Sequence, residues 1–371
     1  MQVKTFKYRL FPSKAQATRL SKTLDACRWL YNHFLDERKT AWETEKKSVS
    51  RYDQVNSIPN LKKDNEYLLN VHSQVLQHIA VRLDLAFRAF FRRVKAGENP
   101  GYPRFKGKFR YDSFTYPQSG FKLLKNVVQL SKIGDVKIKL HRPVEGTIKT
   151  CTVKRSATGK WYITFSCNID HTPDKQPVEP SIGIDMGLST FATMSDGSKV
   201  ENPRFFKHEQ EALARVQRKF SKQEKGSKLR KKYRKQVARV HERIKWKREN
   251  FAHQESRKLI NKYNTVCVED LNINNMVKDN FRCMNKSIAD TAWKQFLNFI
   301  NYKAEWAGKR CISVNPAYTS QTCSRCGNRQ KLMLSDRTYN CQCCGLSVDR
   351  DYNASLNIFS LGMQAMAGLC P

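Results

Sequence analysis

Residues 1–11, MQVKTFKYRLF, alternate polar and apolar and predict a strand. Pro12 ends it, and Ser13 is placed to cap a helix reaching about residue 45, with Leu20, Leu24, Cys27, Leu30, Tyr31 and Phe34 at helical spacing. Residues 49–66 are polar, contain Pro59 and read as a loop. A second helical stripe follows, carrying Val71, Val75, Ile79, Leu83, Phe87, Phe90, Phe91 and Val94. Asn99–Gly107 is a breaker in which bases and aromatics interleave, and SFTYP at 113–117 continues it. From 121 to 169 come short alternating segments (FKLLKNVVQL, VKIKL, TIKTCTVKR, WYITFSCNI) separated by turn residues, the pattern of a small β-barrel. The simplest arrangement returns residues 1–11 to those strands, with the helices inserted between. His171–Pro177 reads as a linker, which sets a boundary near residue 180.

Beyond it, Ser181–Gly187 (SIGIDMG) is a brief apolar run ending in an acid, suited to a strand buried on both faces. Thr190–Met194 and Lys199–Glu201 form a hairpin about Ser195–Asp196–Gly197. Residues 204–262 read as helical, with Leu229, Tyr233, Val237, Val240, Ile244 and Phe251 near heptad spacing. Asn264–Leu271 (NTVCVEDL) repeats the apolar-run-then-acid pattern. A helix through Trp293, Phe296, Leu297, Ile300, Tyr302 and Trp306 precedes a third apolar strand, Arg310–Val314. Residues 347–358, SVDRDYNASLNI, look like a helix start with acids at its mouth.

Charge changes the picture. The 371 residues carry 68 Lys+Arg against 33 Asp+Glu, a formal net charge of +35. Such an excess repels itself in a compact fold unless a polyanion offsets it. It is spread along the chain, not confined to one amphipathic helix, which favours nucleic acid over a membrane surface. The segment 204–262 alone holds 21 Lys/Arg against 6 Asp/Glu, too few acids to pair the bases, so we read it as tracking phosphates, with Arg230, Lys231 and Arg234 as candidate contacts. Arg104 and Lys106, in the aromatic–basic breaker, are further candidates. No apolar run is long enough to span a bilayer, and the start lacks a signal-peptide core, so the expected location is the cytoplasm, in association with the nucleoid.

Two motifs carry chemistry. Asp185 and Glu269 each end an apolar strand, and Asp351 lies in the acidic cluster that opens the last helix. If the three converge at one sheet edge, their hard oxygens suit Mg2+ or Mn2+ and metal-assisted phosphodiester hydrolysis. On its own strand Asp185 would serve as well to cap a turn before Gly187. The second motif is two CxxCG knuckles, Cys323/Cys326 and Cys341/Cys344, separated by residues 327–340, the spacing of a four-thiolate structural zinc site. Cys343 is a competing ligand inside the second knuckle. The other cysteines (27, 151, 167, 267, 283, 311, 370) are scattered and read mostly as small buried residues in a reducing compartment.

The order GIDMG, VEDL, CxxCG…CxxCG, DRDYNAS resembles the insertion-sequence-encoded TnpB family, relatives of type V CRISPR nucleases. KYRLFPS, PRFKGKFR, SFTYP and AYTSQTCSRCG extend the likeness over essentially the whole chain. The resemblance implies an α+β multidomain fold. Its parts are an RNase H-like RuvC nuclease domain (181–316 and 347–371) with a zinc-ribbon insert (317–346), and an oligonucleotide-binding β-barrel, the wedge (1–11 and 100–180), interrupted by a helical recognition domain (12–99). It places Asp185, Glu269 and Asp351 at the three catalytic positions, with Asp349 and Asp270 as the neighbours most easily mistaken for them. It implies a guide RNA from the transposon end, a short motif beside the target, and Mg2+-dependent cleavage of double-stranded DNA by a monomer bound to RNA. Tyr52, Ser73, Gln74, Gln77 and Thr115 are candidate readers of that motif. Two other classes fit the same features: a catalytically silent RNA-guided repressor and an accessory transposition protein.

Overall fold

The computed structural model describes residues 2–170, 173–278, 281–333 and 335–368. Part of the expected linker (His171, Thr172) and Cys370 lie outside them. The chain divides into two compact units, Met1–His171 and Thr172–Pro371.

In the first unit, strand β1 (Gln2–Phe11) leads into helix α1 (Lys14–Glu45), started by a reciprocal capping box in which Ser13 Oγ accepts from Gln16 N and Gln16 Oε1 accepts from Ser13 N. The polar stretch after it is not a loop but helix α2 (Arg51–Asp64), opened by a second box between Ser50 and Asp53. That helix buries only Gln54 and Ile58, and Pro59 sits inside it, which is why its periodicity is faint. Helix α3 (Ser73–Lys95) follows. Then come β2 (Ser113–Tyr116), β3 (Phe121–Leu123), β4 (Val127–Leu130), β5 (Gly134–Lys139), β6 (Thr147–Arg155) and β7 (Trp161–Ile169). All join one sheet in the order β2-β6-β7-β1-β5-β4-β3, so β1 pairs antiparallel with both β5 and β7. The edge strands β2 and β3 are consecutive in the chain, so the sheet curls round into a nearly closed barrel. Its interior holds Phe6, Tyr8, Leu10, Phe114, Tyr116, Val153, Ile163 and Phe165, in one core with the apolar faces of α1 and α3.

The second unit is built on a five-stranded sheet. Strands β8 (Ser181–Met186), β9 (Thr190–Met194) and β10 (Lys199–Glu201) run as a meander. The basic segment is two helices, α4 (Phe205–Ser221) and α5 (Lys228–Lys262), broken at Gly226, whose φ of +93° is left-handed. Leu213 packs on Val240 and Ile244, whereas Leu229, expected in the seam, is exposed because the apolar contact begins only a turn or two later. After β11 (Thr265–Glu269) come two short helices that the sequence pattern does not signal, α6 (Ile273–Lys278) and α7 (Arg282–Thr291), then α8 (Trp293–Trp306) and β12 (Arg310–Val314). A hairpin of β13 (Thr338–Asn340) and β14 (Ser347–Asp349) precedes the last helix, α9 (Arg350–Met366). The sheet order is β10-β9-β8-β11-β12, with β8, β11 and β12 parallel, a mixed sheet with helices packed on it. Among the described residues no helix is long and apolar enough to cross a membrane.

Candidate active site

In the parallel pair β8/β11, Val268 lies opposite Ile184, so Asp185 and Glu269 follow at the same level, at the carboxyl ends of adjacent strands. Helix α9 brings the third acid. Its approach depends on two glycines: a Cβ on Gly183 would strike the Ser355 carbonyl oxygen and come within 2.6 Å of Phe359 N, and one on Gly362 would strike Cys267 Sγ. Gly183 and Cys267 each sit two residues before their strand's acid, on the same side of the sheet. The close contact therefore fixes the helix on the face that Asp185 and Glu269 share. Asp351, in its first turn, is thereby delivered to the strand ends, where its Oδ2 would be 3.9 Å from a Cβ on Gly187.

All three carboxylates line one cavity of about 820 Å³. Burial pushes the Asp185 carboxyl well above the usual carboxylate range, the negative charges of Glu269 and Asp351 push it further, and Arg350 partly offsets them. Glu269 is buried and raised by desolvation, against which the Thr319 hydroxyl works by donating to Oε1 at 2.6 Å. Arg350 Nε lies 3.6 Å from Asp351 Oδ1. Among the described residues, only the cysteine quartet has all its ligand atoms within 4.8 Å of one another; the three carboxylates share the cavity without meeting that closely. The donor set nonetheless fits a divalent cation. Three hard oxygen ligands meet where their mutual repulsion raises a pKa, and a 2+ charge removes that penalty.

The neighbouring acids are placed differently. Asp349 caps α9, its Oδ1 accepting from Asp351 N at 2.9 Å and Tyr352 N at 3.0 Å while Oδ2 takes Lys199 at 2.8 Å. Asp270 is exposed and does not line the cavity.

The knuckles form a compact quartet. Cys323 and Cys344 are 3.6 Å apart at sulfur, as are Cys326 and Cys341. Gly327 and Gly345, both at left-handed φ, close the two turns by donating to the Cys323 and Cys341 carbonyls. Backbone amides of Cys344 and Cys343 aimed at Cys341 Sγ pull its thiol down to about 6, so a thiolate is available for a metal near neutral pH. Cys343 itself is exposed and outside the quartet. Elsewhere Cys27, Cys151, Cys167 and Cys267 are buried, Cys311 is half-buried and Cys283 is exposed. The insert is tied to the cavity: Asn353 Nδ2 donates to Thr322 O, Asn357 Nδ2 to Thr319 O and Thr322 O, and Thr319 in turn holds Glu269.

The remaining sequence candidates are scattered. Tyr52 is exposed on α2 beneath Arg51, 4.8 Å from its ring centroid. Ser73 accepts from Lys62, Gln74 accepts from the amide and hydroxyl of Ser119, and Gln77 is exposed. Thr115, expected in a surface stretch, is buried in β2, bonded to Thr152 and Arg82. Arg104 is exposed, and Lys106 lies over the Tyr31 ring. Arg230 folds back on Phe220, while Lys231 and Arg234 face solvent. Sequence reasoning missed Thr319, Arg350 and an ion pair between buried Asp290 and half-buried Arg248. Asp290 accepts from Arg248 at 2.6 Å and from Phe206 N at the start of α4, and it lines the same cavity. Their partners lie more than 40 residues away or in an unremarkable local context, so no spacing signals them.

Three family models match the chain: a "Probable transposase" model, that of IS605 OrfB, over residues 164–280; a "Cas12f1-like, TNB domain" model over 293–358; and a helix-turn-helix domain model over 1–47, where the structure has β1 and the single helix α1. A "Putative RNA-guided DNA endonuclease" of Streptomyces pristinaespiralis is 35% identical over 375 residues, covering 99% of this chain and 91% of that one. "Putative RNA-guided DNA endonuclease InsQ" of Escherichia coli K12 is 30% identical over 384 residues, covering 99% and 94%. The fold is similar to that in a Cas12f1–sgRNA–target DNA complex, with TM-score 0.56, 16% identity, and 93% of this chain and 82% of that one covered. It is also similar to the endonuclease Cas_phi3, with TM-score 0.51, 9% identity, and coverage of 97% and 92%.

Proposed function

Because the chain belongs to the TnpB family of transposon-encoded, RNA-guided nucleases, we propose that it cleaves double-stranded DNA selected by a guide RNA from the transposon end, beside a short target-adjacent motif. Its relatives are named for the same RNA-guided DNA endonuclease activity. The observation that carries the reading is the meeting of Asp185, Glu269 and Asp351 in one cavity whose walls also include Arg204, Lys207 and Arg337. We assign residues 1–11 and 100–180 to the wedge, 12–99 to the recognition helices, 181–316 and 347–371 to the RuvC domain, and 317–346 to the ribbon.

Each residue has a role set by its surroundings. Asp185, Glu269 and Asp351 would hold Mg2+ or Mn2+, which supplies Lewis-acid activation of a water and stabilisation of the leaving oxygen. The Thr319 hydroxyl orients Glu269 and favours its ionised form. Arg350 holds the Asp351 carboxylate and lowers the repulsion on Asp185. Arg204, Lys207 and Arg337 attract the phosphate that the three acids alone would repel. No side-chain nucleophile is required. The four thiolates would hold Zn2+ in a closed site that fixes the insert, and through Asn353 and Asn357 the first turns of α9. Base pairing with the guide, not side chains, would read most of the target.

The test is to sequence the RNA that co-purifies with the chain and offer it a matching duplex and a scrambled one, each with Mg2+ and with EDTA. Cleavage of the matching duplex in Mg2+ alone is expected. Cutting that ignores the guide, or that persists in EDTA, would refute the reading.

A further inference from the structure

The cavity that holds the three acids has a fourth in its wall, and that one is already engaged. Asp290 is buried. Its Oδ1 accepts from Phe206 N at 2.8 Å and from Arg248 Nε and Nη2 at 3.0 and 2.6 Å. Its Oδ2 accepts from Phe206 N at 2.9 Å and Lys207 N at 3.4 Å. Both oxygens are occupied and a guanidinium meets the charge, so Asp290 has little left to offer a cation. What it holds is the start of α4.

The chain reaches that point through Asn202–Lys207 (NPRFFK), a segment pinned at both ends. The register of β10 on β9 shifts between Val200 and Glu201, an irregularity of the kind that re-aims a strand end. Asn202 Nδ2 then donates to Leu188 O at 2.7 Å, just past Asp185, while Asn202 Oδ1 accepts from Arg204 N at 3.1 Å. Pro203 stiffens the step between them. Phe205 and Phe206 pack on Leu213, Val240 and Ile244. Between these anchors Arg204 has φ 43° and ψ 47°, a left-handed backbone that a Cβ disfavours, and its exposed side chain lines the cavity. Among the described residues of the second unit, the other non-glycine residues at left-handed φ are Ala292 and Tyr318. Each immediately precedes a residue lining the same cavity, Trp293 and Thr319. Strained backbone persists only where its surroundings over-determine it, and here it gathers at one site.

We propose that Arg204 is the residue that grips the substrate phosphate in this cavity, and that Asn202 and Asp290 are positioning residues that hold its backbone in place. The inference rests on the nuclease reading and assigns parts within its site. Among the described residues no carboxylate pairs with Arg204, so its guanidinium is free to take a phosphate. The planar fork matches two phosphate oxygens at once. Lys207 and Arg337 share the wall and add charge, but neither has a left-handed backbone. A donor fixed beforehand needs no reorganisation as charge develops on the phosphate, which is what makes it effective.

The experiment is single-turnover cleavage of a matched duplex by the full chain carrying its co-purified RNA, over a range of Mg2+. Arg204→Gln should cut about a hundredfold more slowly, the loss of one preorganised donor, with RNA and duplex binding unchanged. Arg204→Lys keeps the charge without the fork and should recover only part of the rate. Asp290→Asn and Asn202→Ala should each slow cleavage about tenfold, the scale of a small misplacement, without weakening the apparent Mg2+ affinity. Asn202→Ala leaves the Asp290–Arg248 pair intact, so it carries the test if Asp290→Asn does not fold. Adding either change to Arg204→Gln should cost nothing further, because both act through Arg204, whereas general destabilisation would multiply. Wild-type cleavage by Arg204→Gln, or losses that multiply in the double variants, would overturn the proposal while leaving the guided-nuclease reading intact. A weakened Mg2+ affinity in Asp290→Asn would make Asp290 a ligand and overturn its positioning role. A wild-type chain that cuts no matched duplex would overturn both readings.

Discussion

Gly183→Ala isolates the link between packing and chemistry. The added methyl would meet backbone, the Ser355 carbonyl oxygen and Phe359 N at 2.6 Å, and backbone cannot rotate away as a side-chain tip can. An ordinary carbon–nitrogen contact needs at least about 3.4 Å, so α9 must retreat by roughly 0.8 Å. Overpacking of this kind costs about 1–3 kcal/mol, which for a unit of this size lowers the melting temperature by roughly 2–12 °C. The larger effect falls on catalysis. The same helix carries Asp351, and a displacement near 1 Å at a reacting group costs about a hundredfold. Cleavage of a guide-matched duplex at saturating RNA and Mg2+ should therefore fall by about two orders of magnitude, with RNA affinity unchanged. Gly107→Ala, where a Cβ meets nothing within 4 Å, is the control and should cut normally. A Gly183→Ala chain with wild-type rate and melting temperature would refute the claim that this close contact positions the third acid.

Thr319→Val removes the hydroxyl that favours ionised Glu269, so the acidic limb of the cleavage–pH profile should move to higher pH; an unmoved limb would show that the bond is idle. Asp349→Ala strips the cap from α9 and should cost about 1 kcal/mol while leaving measurable cleavage, read by urea denaturation and nicking. Cys341→Ser should abolish stoichiometric zinc by metal analysis and destabilise the insert; full zinc content would exclude the quartet. Lys303, buried and bonded to the His253 carbonyl and Ser256 Oγ, has its amine pulled down to about 8 by desolvation, with Arg257 acting the same way. Between pH 8 and the ordinary lysine range the unfolded chain holds the extra proton, so stability should rise with pH there. Lys303→Met should remove that rise in denaturation measured across the window.

Local signals are legible in the sequence because their cause is local. Ser13 announces α1 through its box with Gln16, and the apolar runs before Asp185 and Glu269 are long enough to mark strands buried on both faces. The knuckle spacing marks the quartet, because four thiols in two tight turns need little else to meet. Helix α2 is not legible: its buried face is two residues wide and Pro59 interrupts it, so capping at Ser50 and contact with the core outweigh weak periodicity. Leu229 fits a heptad by number, yet it is exposed, because the apolar contact between α4 and α5 gathers at Leu213, Val237, Val240 and Ile244. Thr319 and the Asp290–Arg248 pair act through partners distant in the chain, and Arg350, beside Asp351, gains its effect on Asp185 only when α9 is packed on the sheet. Gly183 and Gly362 look like ordinary glycines until the helix is laid against the strands.

The measurement that tests the central claim most directly is cleavage by RNA-loaded chains carrying Asp185→Ala, Glu269→Ala, Asp351→Ala and all three together, on one matched duplex in Mg2+. Groups that act as a unit are not additive, so each single variant should lose about as much as the triple while retaining RNA and target binding. A single variant that cuts at the wild-type rate, or three partial losses that simply multiply to the triple, would contradict a shared metal-holding centre.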